Sequence, residues 1–160
     1  MKKPTFKIEL CLTKKDSLDF DRTLVSQLLD KNPTETKPPK ISKGRLVCDD
    51  LAEAKKDFKG HTIIESPEAP YQYINHAFWC FECNPIETYD LCDAFQEFKS
   101  LFNSKIAMIK TVLSDFNLFL DVIIHVYANA NDMPIISMSV DDIAFLNDMN
   151  AEVSFDFHLD

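Results

Sequence analysis

The chain has 160 residues, 46% apolar content and 13 Phe, enough for one folded domain over residues 1–160, and its two glycines are too few for a phosphate-cradling loop or a dinucleotide fingerprint. Its 26 acids against 17 bases give a formal charge of −9, which argues against direct nucleic-acid binding, where phosphates demand positive charge. No run approaches the roughly 20 apolar residues of a membrane span, so no membrane partner is expected.

The chain begins with an alternation. Phe6, Ile8, Leu10 and Leu12 alternate with Lys7, Glu9, Cys11 and Thr13, the period of a half-buried strand. Asp19 or Asp21 can cap a following helix whose stripe is Leu24, Val25, Leu28 and Leu29. Asn32-Pro33 ends it, because a residue before proline is pushed out of the helical region. Residues 31–70 are irregular, punctuated by Pro33, Pro38, Pro39, Pro67 and Pro70 and basic in their first half. Lys43-Gly44 is a turn signal, residues 45–48 suit a short strand, and residues 50–59 have helical character. A structureless loop of this length is uncommon, so short elements are expected inside it.

Residues 73–83 are aromatic and apolar and read as one strand. Thr88 then caps a helix with Leu91, Phe95, Phe98 and Phe102 on one face. Asn103-Ser104 breaks it, and Ile106, Ile109, Leu113 and Phe116 mark a second helix. Leu118, Leu120, Val122, Ile124 and Val126 alternate as a strand. Residues 129–132 form a turn, and residues 134–138 are extended. Ser139 is an N-cap with Asp141 and Asp142 in the first turn, where the helix dipole favours acids. Ile143, Ala144 and Leu146 face inward, and Asn150 suits the C-terminal turn. A last alternation, Ala151, Val153, Phe155, Phe157 and Leu159, predicts a strand with its apolar side in the core. This order predicts an α+β fold: a single domain, a mainly antiparallel sheet, helices packed on one face, and one solvent-exposed acidic face.

Charge is the strongest functional signal. Residues 111–160 contain no Lys or Arg and nine acids, so the first 110 residues balance 17 against 17 and the whole net charge lies at the C-terminal end. Segregation of this kind concerns partners, not fold. The candidate partner-binding set is Asp121, His125, Asp141, Asp142, Asp148, Glu152, Asp156, His158 and Asp160. The plain alternative is a solubilising surface. His125 shares a strand face with Asp121 and Tyr127, and His158 shares one with Asp156. If these strands pair, a His/Asp cluster forms that can bind metal or act in acid–base chemistry; a solvated polar face is its ordinary counterpart. His76 is a third, weaker candidate. Cys80-x-x-Cys83 has metal-knuckle spacing, but on a strand the two point to opposite faces. Buried small apolar residues are the simpler reading. Five cysteines at irregular spacing do not read as a disulfide framework, and residues 1–15 show no secretory pattern, so a reduced cytoplasmic chain is expected.

Several short motifs carry a family resemblance: Leu28-Leu29 leading into Asn32-Pro33-Thr34, the Lys43-Gly44 turn, the lone Trp79, and the run Ile143-Ala144-Phe145-Leu146 to Ala151-Glu152-Val153-Ser154-Phe155-Asp156-Phe157. On these the chain resembles bacterial domain-of-unknown-function family 4279. It departs from the family pattern between Pro33 and Gly44, and ends in Phe157-His158 where the family often has a tyrosine. The resemblance implies no catalytic motif and no cofactor. Members are similar to proteins encoded beside polymorphic bacterial toxins, and some are regarded as immunity proteins. The expectation is therefore a non-enzymatic immunity protein, monomeric or weakly dimeric, that neutralises a cognate basic nuclease toxin. The alternatives are a metal-binding or hydrolytic protein using His125, His158, Asp121 and Asp156, and a domain with a small-molecule pocket beneath residues 31–70.

Overall fold

The computed structural model describes residues 3–14, 19–37, 40–44, 61–64, 71–75 and 77–159. The strands are β1 (Thr5–Lys14), β2 (Glu35–Lys37), β3 (Lys40–Gly44), β4 (His61–Ile64), β5 (Tyr71–Asn75), β6 (Phe78–Glu82), β7 (Ile86–Glu87), β8 (Leu118–Ala128) and β9 (Ala151–Leu159). The helices are α1 (Arg22–Leu29), α2 (Leu91–Phe102), α3 (Ile106–Asp115) and α4 (Val140–Asp148). The fold is α+β. A six-stranded, mostly antiparallel sheet runs in the order β2-β6-β1-β8-β9, with β7 also on β1. A second, three-stranded sheet has the order β3-β5-β4. Short elements thus do occur within residues 31–70. The readings of residues 45–48 as a strand and 50–59 as a helix lie outside the described residues, as do His76 and Asp160.

Register sorts each strand into two faces. Phe6, Ile8, Leu10 and Leu12 of β1 stand opposite Val126, Ile124, Val122 and Leu120 of β8, and Leu12 also faces Trp79. All of these are buried in one core with Val25 and Leu29 of α1, the Leu91/Phe95/Phe98/Phe102 stripe of α2, Ile109 and Leu113 of α3, and Phe145 and Leu146 of α4. The helices therefore cover one face of the sheet. Each fully buried side chain of the α2 stripe contributes about 1.5–3 kcal/mol. Trp79 is buried without stranding its indole N–H, which donates to Ser26 Oγ at 2.9 Å.

Helix ends follow local chemistry. Asp21 caps α1 by accepting from the Leu24 N–H. The cap of α2 is Asp90 rather than Thr88; it accepts from the Cys92 N–H, while Thr88 Oγ1 donates to Asp93. α4 starts with a reciprocal box between Ser139 and Asp142. Asn117 and Asn150, with φ of 51° and 57°, make the turns from α3 into β8 and from α4 into β9. Both need the left-handed region, which asparagine tolerates better than most residues.

Three expectations change. Residues 73–83 are not one strand: β5 belongs to the second sheet and β6 to the first, with the chain changing sheet between Asn75 and Phe78. In α4 the inward residues are Asp142, Phe145 and Leu146, while Ile143 is 56% exposed. Cys80 is not a lone apolar residue. It faces Cys11 directly across β1 and β6, and the two form a disulfide with Cα atoms 4.2 Å apart. Of the other described cysteines, Cys83 and Cys92 are free.

The last strand differs most. β9 runs parallel to β8, reached by the crossover through α4 that a parallel pair requires, and it forms one edge of the sheet. Val153, Phe155, Phe157 and Leu159 are in register with Val122, Ile124, Val126 and Ala128, so they lie on the helix-covered face. The helices do not extend far enough to cover them, and they remain 37–52% exposed.

Candidate functional site

The site lies on the other face of the sheet, where β1, β8 and β9 place their alternate residues. Glu9 of β1, Asp121, His125 and Tyr127 of β8, and Glu152, Asp156 and His158 of β9 all point this way. Parallel register sets Asp121 beside Glu152, His125 beside Asp156, and Tyr127 beside His158. The β1–β6–β2 half of the face neutralises its charges locally: Lys7 pairs with Glu82 at 3.0 Å and Lys37 with Glu35 at 2.7 Å. The Glu82 carboxylate, accepting from the Lys7 ammonium, holds the Lys7 pKa above its ordinary value. β8 and β9 carry no Lys or Arg at all.

The cluster has a definite geometry. His125 Nδ1 lies 3.2 Å from Asp156 Oδ2, and His125 Nε2 lies 3.3 Å from Glu9 Oε2. His158 Nε2 lies 3.0 Å from the same Asp156 oxygen. The Tyr127 ring stacks on His158 with centroids 4.3 Å apart and planes 9° apart. Glu9 and His125 are largely screened, with side chains 13% and 16% exposed; Asp156 and His158 are open, at 52% and 42%. Exposure rises from the middle strands toward β9, so the cluster is open to solvent at that edge.

The anticipated acidic set divides. Asp121, His125, Glu152, Asp156 and His158 come together. Asp141, Asp142 and Asp148 do not join them: α4 packs Phe145 and Leu146 into the core, on the opposite side of the sheet. Asp142 is fully buried, and its role is structural. It pairs with Lys99 Nζ at 2.8 Å and accepts from Ser139 Oγ at 2.7 Å and Ser139 N at 3.0 Å. Burial pushes its pKa up, but the Lys99 and Ser139 bonds outweigh it, and the net value lies below the ordinary carboxylate range. Glu9 was not anticipated. It is 116 residues from His125, and only the β1–β8 pairing brings them together.

Among the described residues no helix is long and apolar enough to cross a membrane. No protein-family model, curated protein or solved structure matches the chain.

Proposed function

We propose that this protein is a non-enzymatic immunity protein that binds a basic bacterial toxin, a nuclease by class, through the β8–β9 half of its open sheet face. One observation carries the reading. Asp121 and Glu152 stand side by side, with Asp156 further along β9, on two adjacent strands without Lys or Arg. Carboxylates in register on neighbouring strands concentrate negative charge at one edge of the face. A cationic partner is drawn to such a field and gains fast, steered association. Tyr127 and His158, stacked at the rim, supply a stiff aromatic anchor beside the charges. The family resemblance points the same way.

The test compares wild type with the triple variant Asp121→Lys, Glu152→Lys, Asp156→Lys, checked for an unchanged thermal midpoint. Each is tagged and used to capture proteins from the native cell lysate at low salt. The expected result is one basic protein retained by wild type, released at high salt and lost by the variant. Its toxicity on expression is relieved by co-expressing wild type only. Equal capture by both forms refutes the acidic-face reading. The same proposal places the chain in the cytoplasm, where Cys11 and Cys80 are expected as thiols. Thiol trapping in intact cells checks this, and a fully oxidised pair would move the protein to an oxidising compartment.

A further inference from the structure

His125 poses a chemical problem. A neutral imidazole has one N–H and one lone-pair nitrogen. Here carboxylate oxygens face both nitrogens, Asp156 at 3.2 Å from Nδ1 and Glu9 at 3.3 Å from Nε2. One lone pair of neutral His125 would therefore point at an anion. A cation beside that nitrogen would meet the lone pair and the carboxylate together. His158 favours a metal ion there. Its Nε2 converges on the same Asp156 oxygen at 3.0 Å, so three donor groups rather than two meet at one point.

We propose that His125 Nδ1, the Asp156 carboxylate and His158 Nε2 bind one divalent transition cation of the zinc class. The three donors lie within 4.8 Å of one another. Tetrahedral zinc with bonds of about 2.0–2.2 Å holds its ligand atoms about 3.3–3.6 Å apart. The separations of 3.2 and 3.0 Å need to open by only a few tenths of an ångström. Two nitrogens and one oxygen suit zinc and its neighbours, not magnesium or calcium, which prefer oxygen alone. The exposed side of Asp156 and His158 leaves the fourth position to water.

Glu9 is a positioning residue for this site. By accepting the Nε2–H of His125, it fixes the tautomer that presents Nδ1 to the ion, the carboxylate–histidine–metal arrangement common around bound zinc. Tyr127 fixes the plane of His158 by stacking. The bound ion would tie edge strand β9 to β8 and, through Glu9, to β1. A second ligand-like group, Glu9 with Cys11 and Cys80, is kept out of the test by holding the Cys11–Cys80 disulfide oxidised, so that its two sulfurs stay bonded to each other. The proposal uses residues of the acidic face but does not depend on any protein partner, so it survives if toxin binding is disproved.

The experiment uses the full chain without an affinity tag, stripped with chelator and dialysed. Zinc chloride is titrated by calorimetry and cobalt(II) by visible absorption. One ion per chain is expected, with the intense bands of four-coordinate cobalt and a thermal midpoint that rises with zinc. His158→Gln and His125→Gln should each lower zinc affinity at least about tenfold, and Glu9→Gln about 10- to 100-fold. Asp141→Asn, on the other side of the sheet, should leave it unchanged. Because His158 is at the exposed edge, its variant should fold even if the others do not. No uptake by stripped wild type, or full affinity in His158→Gln, overturns the proposal.

Discussion

Replacing Asp142 by alanine tests whether this acid is a structural pin and not part of a presented surface. The side chain is 1% exposed and makes three short contacts, to Lys99 Nζ and to the hydroxyl and N–H of Ser139. Removing one partner of a buried ion pair costs about 3–5 kcal/mol. Lys99 is 21% exposed and can swing its ammonium toward water, which lowers that figure to about 1–3 kcal/mol. Loss of half of the capping box adds about 1 kcal/mol. The sum is a destabilisation of about 2–4 kcal/mol, or roughly 5–12 °C in Tm for a chain of this size. Urea unfolding of wild type and variant measures it directly. The pH dependence has a definite sign. The folded carboxyl titrates below its ordinary value, so its contribution is complete above about pH 4 and is lost as pH falls through the folded pKa. The gap between wild type and Asp142→Ala should therefore be widest at neutral pH and close in acid. Asp141→Ala, one residue away and exposed, should cost no more than about 1 kcal/mol. A cost below 1 kcal/mol for Asp142→Ala, or a gap that does not narrow in acid, refutes the reasoning.

Two further outcomes can be measured on the same preparations. Burial pushes the Cys83 thiol up to about 12, so native Cys83 should resist alkylation at pH 8 while the half-buried Cys92 reacts, and peptide mass mapping should show Cys83 modified only after unfolding. β9 contains no proline or lysine to guard its edge and leaves Phe155 and Phe157 exposed. Antiparallel pairing of two copies about Phe155 sets Glu152 of one opposite His158 of the other. Sedimentation should therefore show concentration-dependent dimers that Phe157→Lys weakens.

Local patterns were legible in the sequence, and contacts between distant residues were not. The alternations of β1, β8 and β9, the α2 stripe and the Ser139 cap follow from periods of 2 and 3.6 and from hydroxyl chemistry, all confined to short windows. Alternation states which residues share a face, not whether anything covers it. That is why Val153, Phe155 and Phe157 looked like core and are half open. An acid in the first turn of a helix looks the same whether solvated or buried, so Asp142 was misplaced while its cap was expected. The run through residues 73–83 looked like one strand because its apolar character continues across the passage from β5 to β6. His125 with Asp156 could be suspected from shared strand faces. Glu9 beside His125, and Cys11 beside Cys80, depend on strand register, which no single strand carries.

The pairing of β2 with β6 reaches beyond the sheet itself. Lys37 stands opposite Phe78, its ammonium 5.3 Å from the ring centroid, so the chain leaves the sheet at Lys37 and returns beside the point of departure. In connectivity, β2 and β6 are a hairpin whose turn has been expanded to hold the β3-β5-β4 sheet. A cassette with adjoining ends can be shortened, lengthened or exchanged without altering the register of the strands that bracket it. The acidic face is built on strands that the cassette does not interrupt. Such a layout lets one part of the protein change in length while the acidic face keeps its geometry, and it marks residues 38–76 as the place to graft a reporter or a foreign loop.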